Sequence, residues 1–162
     1  MKVLFVCTGN ICRSPMAEAV LKNILKEKGL EGIEVSSAGI HALVGEEAPA
    51  AAQRVLSRKG IHLSGHRGRQ LDRDLVDQAD ILLVMDRYQL AVIESLLPES
   101  KGKLLLLREF APQGGSEMVS DPYGGSEEDY RLCLSRIEEC MPGLLERIGS
   151  HTFNAEGEGG GR

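Results

Sequence analysis

Three runs of residues in this chain are apolar at nearly every position, and stretches with helical spacing of apolar residues separate them. The runs are Val3-Leu4-Phe5-Val6 within 2–7, Ile81-Leu82-Leu83-Val84-Met85 within 80–86, and Leu104-Leu105-Leu106-Leu107 within 103–107. Short runs without polar alternation predict strands buried on both faces. IEVSSAG, at 33–39, reads as a further strand that ends in small residues. After the first strand, Met16/Ala17, Val20/Leu21 and Ile24/Leu25 recur at the helical period. Pro15 suits a first turn and Gly29 a stop, so a helix is predicted over 14–28. Further helices are predicted over 49–59, 72–78 and 87–96. A last amphipathic helix is predicted over 127–148, kinked or broken at Pro142-Gly143.

Alternating strands and helices predict an α/β fold. The expectation is a single doubly wound domain over 1–149, with a four-stranded parallel sheet, helices on both faces and a phosphate-binding loop after the first strand. In such sheets ligands bind at the carboxyl ends of the strands. The loop 7–14 lies at that edge, and Asp86 reaches it from the third strand. Residues 108–126 form a long connection rich in Gly, Pro and Ser, a length that often carries function. The segment 150–162 is expected to be a disordered tail.

Composition narrows the function. With 162 residues the chain can bury a proper core. A net charge of −5 argues against a nucleic-acid partner. No apolar run approaches the ~20 residues that span a membrane, so no membrane association is expected. The first strand begins at once, leaving no room for a signal peptide, and a cytoplasmic location is expected. The cysteines fit neither a small secreted disulfide frame nor a zinc site, so no metal or cofactor is expected. Cys133 and Cys140, seven residues apart in the helical pattern, are predicted to face the core as free thiols.

The chemistry concentrates in Cys7-Thr8-Gly9-Asn10-Ile11-Cys12-Arg13-Ser14, which joins a buried strand to a helix N-terminus. The first amides of a helix lack partners within it, and the helix dipole is positive there. Gly9 lets successive amides curl toward one point, making an anion cradle. The Gly-Lys-Ser/Thr element of nucleotide-binding loops is missing. Instead Cys7 starts the loop and Arg13 closes it. Arginine matches two phosphate oxygens with its planar fork, and a thiolate under the cradle can reach phosphorus. An acid opposite the thiolate is also needed, to protonate the departing oxygen. Asp121, before Pro122 in the long connection, would by itself read as a turn aspartate.

VCTGNICRSPMAEAV resembles the signature of the low-molecular-weight protein tyrosine phosphatase family. The similarity continues through SSAGI (36–40), GHRGRQL (65–71), VMDRYQL (84–90), LLREFAP (106–112) and DPYGGSEEDY (121–130), and spans residues 2 to 148. The resemblance implies metal-independent hydrolysis of protein phosphotyrosine through a cysteinyl-phosphate. Cys7 falls on the nucleophile, Arg13 on the phosphate-binding arginine and Asp121 on the general acid. Residues Thr8 through Ser14 fall on the phosphate-binding loop. Asn10, Ser14, Ser37 and His66 fall on supporting positions, and Ile11, Leu43 and Tyr123 on the substrate pocket. Cys12 matches a redox partner of Cys7. The implied partners are phosphorylated proteins, met by a monomer.

The nearest alternative is a protein phosphoarginine phosphatase, which uses the same loop. That branch carries threonine where this chain has Ile11, which favours an aryl phosphate, but DPYGGS is similar to its DPFGGS. Leu43 stands near where many tyrosine phosphatases of the family carry an aromatic. An arsenate reductase would want redox cysteines near the site, and Cys133 and Cys140 read as core. A phosphate-binding or redox-sensing module without turnover would have no use for Asp121.

Overall fold

A computed structural model describes residues 1–63, 65–112 and 118–157. Four strands, β1 (Lys2–Cys7), β2 (Glu34–Gly39), β3 (Ile81–Val84) and β4 (Leu104–Leu106), form one sheet in the order β2-β1-β3-β4. All three pairings are parallel, with Val3 opposite Val35 on one side and Ile81 on the other. The helices are α1 (Arg13–Lys28), α2 (Ala50–Ser57), α3 (Arg73–Gln78), α4 (Arg87–Leu96), α5 (Glu127–Glu138) and α6 (Met141–Gly157).

The apolar run of β1 is explained by its place between two strands and two layers. Val3, Phe5 and Cys7 face one core, with Met16 and Leu21 of α1 and Leu134 and Ile137 of α5. Leu4 and Val6 face a second core, with Val76 of α3 and Ile93 of α4. Side chains alternate across a strand, so a strand covered on both faces must be apolar throughout. The chain leaves β1 toward β2 on one side and later crosses to β3 on the other. The switch point between β1 and β3 therefore sits where the loop after Cys7 and the loop after Val84 diverge.

Local signals end the elements as the sequence suggests. Gly29 takes φ 64°, and the amides of Gly29 and Leu30 close the last turn of α1 on Lys26 and Leu25. Asp86 caps α4, and Ser126 and Asp129 form a reciprocal cap on α5.

The final helical region is broken, as one of the two expectations had it, but at a different place. It is two helices, and the break falls at Glu139-Cys140, before Pro142 rather than at it. Pro142 is the second residue of α6, where its missing N–H has no intrahelical partner to lose. Cys133 thus lies in α5 and Cys140 in the break, both buried as expected. The backbone of α6 runs to Gly157, beyond the expected domain boundary at 149. Residues 158–162 of the expected tail lie outside the described residues. The long connection 108–126 begins within a 3-10 turn, Leu107–Phe110, and its residues 113–117 lie outside the described ones.

Candidate active site

The loop after β1 is built by fastening its carbonyls outward. The carbonyls of Cys7, Thr8 and Gly9 accept the amides of Ile40 (3.0 Å), His41 (3.0 Å) and Leu43 (2.9 Å). The Asn10 carbonyl accepts His66 Nε2 at 2.7 Å. A carbonyl only accepts, so Nε2 carries the proton. In a planar trans peptide the next N–H points opposite to each carbonyl, so the amides of Gly9, Asn10 and Ile11 turn inward. The Asn10 amide donates to Cys7 Sγ at 3.3 Å. Arg13 opens α1, which adds the positive end of a 16-residue helix to the same cradle.

Asn10, and not Gly9 as expected, takes the positive φ that makes the curl possible. It has φ 56°, the one non-glycine residue with positive φ among the described residues. That conformation is costly for most side chains and tolerated by asparagine. Asn10 is fully buried and each of its polar groups is used. Nδ2 donates to Ser14 Oγ (2.8 Å) and Ser37 Oγ (3.0 Å), and Oδ1 accepts the Arg69 amide (2.9 Å). Deleting the carboxamide would strand buried partners at about 1–3 kcal/mol each. Ser37 donates onward to Glu18 Oε2 at 2.5 Å. Asn10 donates one N–H to Ser14, whose hydroxyl lies 2.9 Å from Cys7 Sγ and 3.4 Å from the Ala38 carbonyl. Asn10 thus donates in both directions, toward Ser14 beside the sulfur and toward Ser37, which hands its own proton on to Glu18. The small residues ending β2 also have a reason. A Cβ on Gly39 would stand 2.6 Å from the Thr8 carbonyl oxygen.

Arg13 is almost wholly buried. Its Nη1 donates to Asp86 Oδ2 (2.9 Å) and to the Val119 carbonyl (3.1 Å). Asp86 Oδ1 holds the Gln89 amide at 2.9 Å, so the cap of α4 also aims the guanidinium. Gln89, itself fully buried, accepts the Met85 amide (2.8 Å) and donates to Thr8 Oγ1 (3.3 Å), tying β3 to the loop. Nη2 faces Asp121 Oδ2 at 3.6 Å. The Asp121 side chain is half exposed, and its Oδ1 accepts the Tyr123 amide at 3.1 Å.

Cys7, Thr8, Gly9, Ile11, Cys12, Arg13, His41, Leu43, Asp121 and Tyr123 together line a cavity of about 200 Å³. The sequence-predicted residues thus meet in one place. Cys7, Arg13 and Asp121 lie at the cavity, and Ile11, Leu43 and Tyr123 line it. Asn10, Ser14, Ser37 and His66 brace the loop from behind. The sequence reading did not assign roles to Asp86, Gln89, Glu18 or Arg69. Asp86 carried a signal, a carboxylate at the end of a buried strand. The others carried none, since each is linked to the loop only through space. Among the described residues, no three His, Cys, Asp or Glu side chains converge as a metal site. Nor is any helix there long and apolar enough to cross a membrane.

The remaining thiols differ from Cys7 in surroundings. Burial pushes Cys12 up to about 11, against the opposing effect of its hydrogen bond with Tyr130, whose Oη lies 3.6 Å from Sγ. Burial pushes Cys133 up to about 12 and also raises Cys140. Both of these are thiols at neutral pH.

Residues 2–153 match the family described as low molecular weight phosphotyrosine protein phosphatase. The chain is 41% identical over 147 residues to a protein-arginine-phosphatase of Geobacillus stearothermophilus, covering 91% of this chain and 95% of that protein. It is 37% identical over 146 residues to the low molecular weight protein-tyrosine-phosphatase Etp of Escherichia coli K12, covering 90% and 93%. Its fold superposes with a TM-score of 0.82 on the tyrosine phosphatase Wzb from Escherichia coli K30 in complex with sulphate, at 35% identity, covering 91% of this chain and 97% of that one.

Proposed function

We propose that this chain, which belongs to the low molecular weight phosphotyrosine protein phosphatase family, hydrolyses phosphotyrosine in proteins through a phosphoryl group carried on Cys7. One observation carries this reading: a thiol under inward amides, closed by a buried arginine, with a carboxyl across the cavity mouth. The amides and the Arg13 fork hold the three non-bridging oxygens of the phosphoryl group. Cys7 Sγ attacks phosphorus, and the bond from phosphorus to the phenolic oxygen breaks. Asp121 gives its proton to that oxygen as it leaves. The Asp121 carboxylate then takes a proton from water, which attacks the cysteinyl-phosphate. Inorganic phosphate departs and the thiolate is restored, held by Asn10 and Ser14. Every group used comes from one chain, so a monomer suffices. A catalytic thiol also needs a reducing compartment, which supports the cytoplasm as its place of work.

The cavity mouth favours an aryl substrate. Ile11 and Leu43 offer apolar walls, and Tyr123 offers a ring for stacking. The phosphoarginine reading keeps specific support in the 41% identity to the Geobacillus stearothermophilus arginine phosphatase and in DPYGGS at 121–126. Turnover of phosphotyrosine and phosphoarginine in the same peptide distinguishes the two. The expected result is higher kcat/KM on phosphotyrosine, with Ile11→Thr moving the ratio toward phosphoarginine. A wild-type preference for phosphoarginine would reverse the assignment.

Cys12 gives this site a response to peroxide. Hydrogen peroxide converts the Cys7 thiolate to a sulfenic acid, itself being reduced to hydroxide. Cys12 sulfur then displaces that oxygen as water, leaving a Cys7–Cys12 disulfide. Because burial holds the Cys12 thiol up at about 11, its thiolate fraction, and with it the rate of closure, should increase as pH rises from neutrality. Brief peroxide should inactivate the wild type reversibly, with a thiol reductant restoring activity. Cys12→Ser should start active and recover poorly. Equal recovery of the two proteins would leave Cys12 a packing residue.

A further inference from the structure

The catalytic cavity does not end at Tyr123. Asp121 and Tyr123 also form one wall of a second cavity, of about 560 Å³, on the far side of the 120–125 segment. Its floor is one face of α5, where Asp129, Leu132, Cys133 and Arg136 recur at i, i+3, i+4 and i+7. Its character is mixed. Leu132 is 48% exposed and Met118 44%, and both line the cavity. The Asp129 carboxylate is committed to the Ser126 amide and hydroxyl, at 2.7 and 3.0 Å. The Arg136 side chain is 46% exposed. Its nearest carboxylate, Glu139, stands at 3.7 Å and is held more closely by Arg108, at 2.7 Å. The groove therefore offers an apolar patch followed by a cation.

We propose that this groove binds the polypeptide flanking the phosphorylated residue of a protein substrate, and selects an apolar side chain followed by a carboxylate. The proposal rests on the phosphatase reading, because the groove adjoins the phosphoryl cavity and shares Asp121 and Tyr123 with it. A chain leaving that cavity over Tyr123 enters the groove directly. Leu132 and Arg136 are four helical residues apart, ~6 Å along the axis. Two residues of extended peptide span ~6.6 Å and point to the same side. The matched segment thus carries an apolar residue against Met118 and Leu132 and an Asp or Glu two positions further out, opposite Arg136. Desolvating apolar surface supplies affinity, and the charge pair supplies selectivity.

The test compares para-nitrophenyl phosphate with phosphotyrosine peptides bearing the apolar-x-acid pattern on one side or the other, or neutral flanks. The proteins are the wild type, Leu132→Asp and Arg136→Glu. The wild type should show a KM about tenfold lower for one of the patterned peptides than for the neutral one, a difference in affinity of about 1.4 kcal/mol. Both variants should cancel that advantage with kcat retained, and both should match wild type on para-nitrophenyl phosphate. Replacing the acidic residue of the peptide by lysine should restore binding to Arg136→Glu alone. Patterned peptides no better than neutral ones, or variants that keep the advantage, would overturn the groove assignment. The para-nitrophenyl phosphate arm isolates the underlying reading: no turnover there by wild type would remove the phosphatase activity itself. Preserved turnover of that small substrate also shows that each variant is folded.

Discussion

Cys7→Ser is expected to abolish turnover, by about 10⁴-fold or more, while phosphate and vanadate still bind. The two outcomes separate because different atoms produce them. Oxyanion binding relies on the inward amides of Gly9, Asn10 and Ile11 and on Arg13; of these only the Asn10 amide touches the sulfur, and bonds elsewhere in the loop hold them all. The carbonyls that orient the loop are fastened by Ile40, His41, Leu43 and His66. Arg13 is held by Asp86 and the Val119 carbonyl. A serine hydroxyl can still occupy the space facing Ser14 but is not ionised at neutral pH, so attack on phosphorus is lost. Isothermal titration with vanadate and a single-turnover assay measure the two properties independently. Substantial hydrolysis by a homogeneous serine variant would remove Cys7 from the nucleophile's role.

Asp121→Ala should slow hydrolysis by about 10²–10⁴-fold for poor leaving groups and much less for acidic phenols. Only the proton given to the departing oxygen depends on leaving-group basicity. The variant should thus show a steep dependence of kcat on phenol pKa where the wild type shows a shallow one. Removing Asp121 also deletes the carboxylate 3.6 Å from Arg13 Nη2, so the guanidinium faces the dianion without that competitor. Phosphate should accordingly bind the variant at least as tightly as the wild type. An equal loss across the whole series of aryl phosphates would mean that Asp121 serves the geometry of its loop rather than proton transfer.

Between the two halves of the reaction, the structure assigns unequal support to its groups. The phosphoryl cradle is braced by buried hydrogen bonds on every side, whereas Asp121 is half exposed on a loop whose own carboxylate–amide bond is local. A rigid cradle under a less constrained acid suits two steps in which the acid must first donate and then accept a proton.

What the sequence determined is what contiguous residues decide among themselves. The strand β1 was legible because a strand covered on both faces must be apolar throughout. The cradle was legible because Cys7 through Ser14 form one unbroken strand-to-helix turn with arginine at the helix start, although the positive φ falls on Asn10 and not on Gly9. The tertiary structure decided how that turn is held. A buried loop with Asn10 in the left-handed region persists only if distant groups satisfy it. His66 and Arg69 arrive from the connection before α3, Ser37 from β2 and Asp86 from the end of β3, as much as 73 residues away. No local pattern announces Glu18 behind Ser37 or Gln89 beneath Thr8, because a buried hydrogen bond selects a partner by position in space. The end of the chain illustrates the same division. Pro142 announced an interruption, but packing placed it before the proline, where a new helix can begin without the missing N–H. The groove along α5 belongs wholly to the fold, since its two walls meet only once the 120–125 segment has folded back over Leu132 and Arg136.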